Sequence, residues 1–118
     1  MKMEIDREVL LEENQESIDV FKKGGADFSG TREVVFRVRL PDKESAAAVR
    51  DKLRELHDFS LGELVMISPH SSRDGSYDQI IAIRIPVNAK TITYFAYMQL
   101  SCAIPFGGYD PAWEIQPD

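Results

Sequence analysis

With 118 residues, 43% hydrophobic and 29% charged, the chain has ordinary globular usage and the length of one domain, which leaves no room for two. Its one cysteine, Cys102, excludes an intrachain disulfide and fits a reducing compartment, so a cytoplasmic location is expected. The formal net charge is −6 and is concentrated, because residues 1–21 hold seven acids (Glu4, Asp6, Glu8, Glu12, Glu13, Glu16 and Asp19) against Lys2 and Arg7. Binding to nucleic acid relies on Lys and Arg that neutralise phosphates, so direct binding is disfavoured and a basic protein partner is favoured.

The N-terminus turns acidic at once and has no apolar core of the kind a signal peptide needs. Residues 4–23 read as a helix stopped by Gly24 and Gly25. Leu11, Ile18 and Phe21, with Leu10 and Asn14 between them, make an apolar stripe about half as rich as a core helix carries. This acidic N-terminal helix, residues 1–25, is therefore expected to lie on the domain. Residues 31–40 alternate, Val34, Phe36, Val38 and Leu40 against Arg37 and Arg39, which is a strand with one face in water. Pro41 ends it and Asp42 can cap a helix reaching about His57, with Ala46, Val49, Leu53 and Leu56 on its apolar side.

Residues 61–68 read as a second strand and residues 69–76 as a loop around Arg73-Asp74-Gly75-Ser76, a hairpin turn. Residues 77–85 form the third strand, with Ile81, Ile83 and Ile85 on one face. Asn88 can cap a helix over residues 89–103 carrying Ile92, Phe95, Ala96 and Met98. Residues 91–109 carry no charge, but their apolar part falls short of the roughly 20 residues a membrane span requires. Residues 109–116 form a short last strand, with Pro111 suited to an edge. The order α, then β-α-β-β-α-β, predicts an α+β fold: a ferredoxin-like sandwich over residues 31–116, with four antiparallel strands and two helices on one face. The N-terminal helix is expected near the open sheet face or at an edge.

Candidate chemistry is sparse. His70, Ser71, Ser72, Arg73 and Asp74 are hydrolase-type residues in a row, but triads are assembled from distant positions, so a polar loop is the better reading. His57, His70 and Cys102 lack metal-ligand spacing, and no metal or cofactor is expected. Cys102 reads as a structural thiol with nothing nearby to lower its pKa. Arg37 and Arg39 flank Phe36, yet alternation turns that ring to the core and not toward nucleic acid. Near its end the chain carries Gly107-Gly108-Tyr109-Asp110-Pro111-Ala112-Trp113, which holds its only Trp. Such a Trp is as readily a core plug as an interface anchor.

The acidic helix with Glu12-Glu13-Asn14-Gln15-Glu16, the Gly25-Ala26-Asp27 loop, the Asp74-Gly75 hairpin and the ending Tyr109-Asp110…Trp113 together resemble the bacterial regulator of ribonuclease activity B family. Members are small acidic proteins that bind and inhibit the endoribonuclease RNase E. In this chain Pro111-Ala112 replaces the single Gly of the family's Tyr-Asp-Gly-Trp ending. The resemblance implies a non-catalytic regulator that docks on a protein, RNase E or another RNA-degrading enzyme. Glu12, Glu13, Glu16 and Asp19 would steer the approach, and Tyr109, Asp110 and Trp113 would form the contact. Two other classes stay open: a small-molecule-binding ferredoxin-like module, dimeric through a sheet face or edge, and a nuclease-toxin immunity protein. A homo-oligomer is compatible with any of these readings.

Overall fold

The structure, a computed structural model, describes residues 6–56 and 62–117. Helix α1 (Arg7–Lys23) starts at Asp6, whose carboxylate accepts from the backbone N–H groups of Glu8 and Val9 at 3.0 and 3.2 Å. It ends in a Schellman motif: Ala26 N–H returns to Phe21 O and Gly25 N–H to Lys22 O, with Gly25 at φ 95°. The expected first turn at residues 4 and 5, and His57 and Leu61, lie outside the described residues.

There follow β1 (Thr31–Leu40), α2 (Lys43–Leu56), β2 (Glu63–Ser71), β3 (Tyr77–Pro86), α3 (Ala89–Ala103), a 3₁₀ turn over Ile104–Phe106, and β4 (Tyr109–Ile115). The strands lie in the order β2-β3-β1-β4, all antiparallel, with the helices on one face: the ferredoxin-like arrangement. Asp42 and Asn88 cap α2 and α3 through Ser45 N–H and Thr91 N–H.

Alternation along the strands builds the core. Val34, Phe36, Val38 and Leu40 of β1 and Ile81, Ile83 and Ile85 of β3 are fully buried under Val49 and Leu53 of α2 and Ile92 and Phe95 of α3. On the other face, Arg39 sits directly across from Asp78 and pairs with it at 3.2 Å. Around that pair the open face is partly apolar, with Val35 and Ile80 half-buried and Ala82 at 2% exposure.

One element differs from expectation, and another takes one of its two expected places. The β2 strand runs on through Pro69, His70 and Ser71 and shortens the hairpin loop. Ser72 N–H donates to Ser76 O, so His70 with Asp78 and Ser68 with Ile80 are the bonded pairs of the ladder. Pro69 then points its missing N–H to the free edge, where no ladder bond is lost. Of the two places expected for α1, the open sheet face and an edge, it takes the edge. It packs beside α3 on the helical side, past the β4 edge, where Ile18 joins the core at 1% exposure.

The return from α3 to β4 is tight. A Cβ on Gly108 would come within 2.6 Å of Ala103 Cβ, so only glycine lets β4 start there.

Candidate functional site

Trp113 is in register with Phe36, and Phe36 faces the core, so the indole lies on the helical side of the sheet. There it slides under α1. Its Nε1–H donates to Asn14 Oδ1 at 2.9 Å, and Asn14 Nδ2 donates to Thr93 Oγ1 at 2.8 Å. Asn14 and Thr93 are 4% and 2% exposed. One short chain of hydrogen bonds thus ties β4, α1 and α3 together. The Trp113 ring also meets Phe21 edge-on at 6.2 Å, and Phe21 meets Phe28 edge-on at 6.5 Å.

Two clefts flank that ring. One, of about 380 Å³, lies between α1, α3 and β4 and is lined by Glu13, Phe21, Gln99, Pro111 and Trp113 among others. Gln99 forms part of its wall and is fixed by donating to Phe36 O and Gln79 O at 3.1 and 2.8 Å. The second, of about 430 Å³, is lined by Phe21, Phe28, Arg32, Trp113, Glu114 and Ile115. Half-buried Trp113 is therefore both plug and cleft wall.

The seven candidate contact residues named from the sequence divide into three groups when placed in the fold. Glu13 and Trp113 share the first cleft. Glu12, Glu16 and Asp19 are exposed on the side of α1 turned away from Asn14 and Ile18, given about 100° of rotation per residue. Tyr109 and Asp110 lie at the far end of β4, Tyr109 opposite Arg39 across a bulge. Asp110 takes φ 49°, a left-handed conformation that Asp tolerates better than most residues. Thr93 and Phe28 carried no sequence signal for this site. Asn14 carried a faint one, as a lone amide on the stripe of an amphipathic helix.

Other titratable groups serve local structure. The Ser45 N–H and hydroxyl hold the Asp42 carboxyl below its usual range, and Ser76 and Ser29 do the same for Asp74 and Asp27. Burial pushes the Cys102 thiol up, with Lys52 only opposing this, so it is no ready thiolate. The extended β2 brings Ser68 Oγ within 2.9 Å of His70 Nε2, a pair that a loop reading of residues 69–76 hides. It stands exposed on a sheet face, and Asp78, across from His70, is engaged by Arg39. Among the described residues, no group of three or more His, Cys, Asp and Glu could hold a metal ion. No helix among them is long and apolar enough to cross a membrane. The chain matches no protein-family model and no curated protein.

Proposed function

We propose that this chain is a non-catalytic cytoplasmic regulator that docks on a partner protein, resembling the inhibitors of RNase E. The observation that carries this reading is the exposed acidic side of α1. Glu12, Glu16 and Asp19 project from a helix whose opposite side is bolted to the domain by the hydrogen bonds of Asn14 with Trp113 and Thr93. Fixed charges attract a basic partner more effectively than charges on a loose tail, because little ordering entropy is lost on contact. Glu13, next to Glu12 on the helix, and the half-buried Trp113 line the cleft beside that face.

The test is titration of purified RNase E with the chain and with the variant E12K/E16K/D19K, at low and high salt. Binding that weakens at least tenfold in the variant, and similarly on raising salt, is the expected result. No binding by the parent chain would remove RNase E as partner, and equal binding by parent and variant would remove the acidic face. Trp113→Ala is a poor probe, because it also empties space under α1 and strands Asn14.

A small-molecule reading draws on the 380 Å³ cleft, which is within the size range of ligand pockets. Thermal stabilisation of the chain by a metabolite set, lost on filling the cleft with Ala96→Leu, would favour it.

A further inference from the structure

The hydrogen-bonding rhythm of β4 shows which of its backbone groups are engaged. Gln116 N–H donates to Glu33 O at 2.9 Å. In an antiparallel ladder bonded pairs recur at every second residue, so Glu114 bonds with Val35 and Ala112 with Arg37. Trp113 and Ile115, between them, aim their N–H and C=O groups away from β1. Past Ala112 a bulge interrupts the alternation, so the outward-facing groups of the regular ladder are those of Trp113 and Ile115. Among the described residues no strand covers that side, since β4 is last in the order β2-β3-β1-β4.

The α1 helix does not close this edge either. It leans on α3 and meets β4 chiefly through the Trp113 ring. The two clefts left on either side of that ring share Phe21 and Trp113 and so form one groove beside the strand. Phe21, the α1 residue that lines both clefts, is an apolar ring left 47% exposed beside the half-buried Trp113 ring. An apolar wall beside a row of unpaired backbone groups is the arrangement that receives an added strand.

We propose that the β4 edge and its groove accept an extended segment of the partner, with apolar and basic residues alternating, as a fifth strand of the sheet. This rests on the protein-docking reading above and states what the partner contributes. Trp113 and Ile115 supply two backbone donors and two acceptors. Side chains on one face of the incoming strand fall on Phe21 and the Trp113 ring. Basic residues, on the opposite face of the incoming strand, come beside Glu114, which pairs with Val35 on the open side of the sheet. A second copy of this chain fits less well, because each copy carries −6 and β4-to-β4 pairing would bring Glu114 of each toward the other.

The test uses the full chain and a blocked seven-residue peptide alternating leucine with lysine. It is compared with two forms N-methylated at odd or at even positions, and with a leucine–glutamate peptide. Expected are at least tenfold slower hydrogen exchange at the Trp113 and Ile115 amides in the complex, and at least tenfold weaker binding of one N-methyl form and of the glutamate peptide. Unprotected edge amides, or equal binding of both N-methyl forms, would overturn the added strand. Protection that appears without peptide as protein concentration rises would make a second copy the occupant and overturn assignment to a partner. If RNase E still binds the parent chain in a salt-sensitive way while the edge amides stay unprotected, docking stands and the added strand falls. If neither RNase E nor the peptide binds, both fall.

Discussion

The side-chain amide of Asn14 stands between two partners in a nearly dry place, Trp113 donating to its oxygen and Thr93 accepting from its nitrogen. A buried polar group stranded without its partner loses about 1–3 kcal/mol, more than an average intramolecular hydrogen bond contributes. Trp113→Phe keeps most of the ring against Phe21 but deletes the donor, so urea unfolding should show a loss of about 1–3 kcal/mol. Thr93→Val should behave alike, for it keeps the shape and removes the acceptor. The two losses should not add, since both strand the same amide. Replacing all three residues together (Asn14→Leu, Thr93→Val, Trp113→Phe) should recover part of the deficit. An unchanged midpoint for Trp113→Phe would mean that water takes the place of the indole, and that Asn14 does not hold α1 in place.

At the scale of elements, the ends of the helices rest on side chains whose charge matters. Asp42 accepts from Ser45 N–H at 2.8 Å at the start of α2, and those bonds lower its folded-state pKa. A carboxyl with a depressed folded-state pKa stabilises fully above its unfolded value, about 3.9. That contribution fades as pH falls through the lower folded value. Thermal unfolding followed from pH 6 to pH 2 should therefore show a falling midpoint in the acid range. Asp42→Asn still accepts from Ser45 but cannot titrate, so its curve should fall less steeply. Asp27 and Asp74, shifted the same way, leave a residual slope. Parallel curves would exclude Asp42 as a source of the acid sensitivity. Element boundaries were legible where such local chemistry marks them. The alternation of residues 31–40 and the Asn88 cap placed β1 and α3 where the structure has them. The end of β2 was hidden, because Pro69-His70-Ser71 reads as loop until the neighbouring strand shows that Pro69 faces a free edge. The candidate site was half legible. A lone Trp near a chain end draws notice by itself, whereas its partners Asn14 and Thr93 lie 99 and 20 residues away and meet it only through the fold.

Across the whole molecule, the acidic side of α1 and the groove along β4 act on different stages of an encounter. At about 0.01 M salt the screening length is roughly 30 Å, comparable with the 29–40 Å extents of the molecule, and at 0.15 M it shrinks to about 8 Å. Glu12, Glu16 and Asp19 can therefore act on an approaching basic surface across the width of the domain at low salt and only near contact at physiological salt. Charges of this kind change the association rate, while groups buried in the final contact change how long it lasts. Measured by stopped flow against the partner, E12K/E16K/D19K should slow association about tenfold at low salt and flatten its salt dependence, with dissociation altered less than about twofold. Phe21→Ala, at an exposed position on the groove wall, should do the opposite: nearly unchanged association and faster dissociation. If the charge-reversed variant instead left association untouched and hastened dissociation, the acids would belong to the contact itself. The division between a steering face and a holding groove would then fail, because both sets of residues would be acting at the same distance.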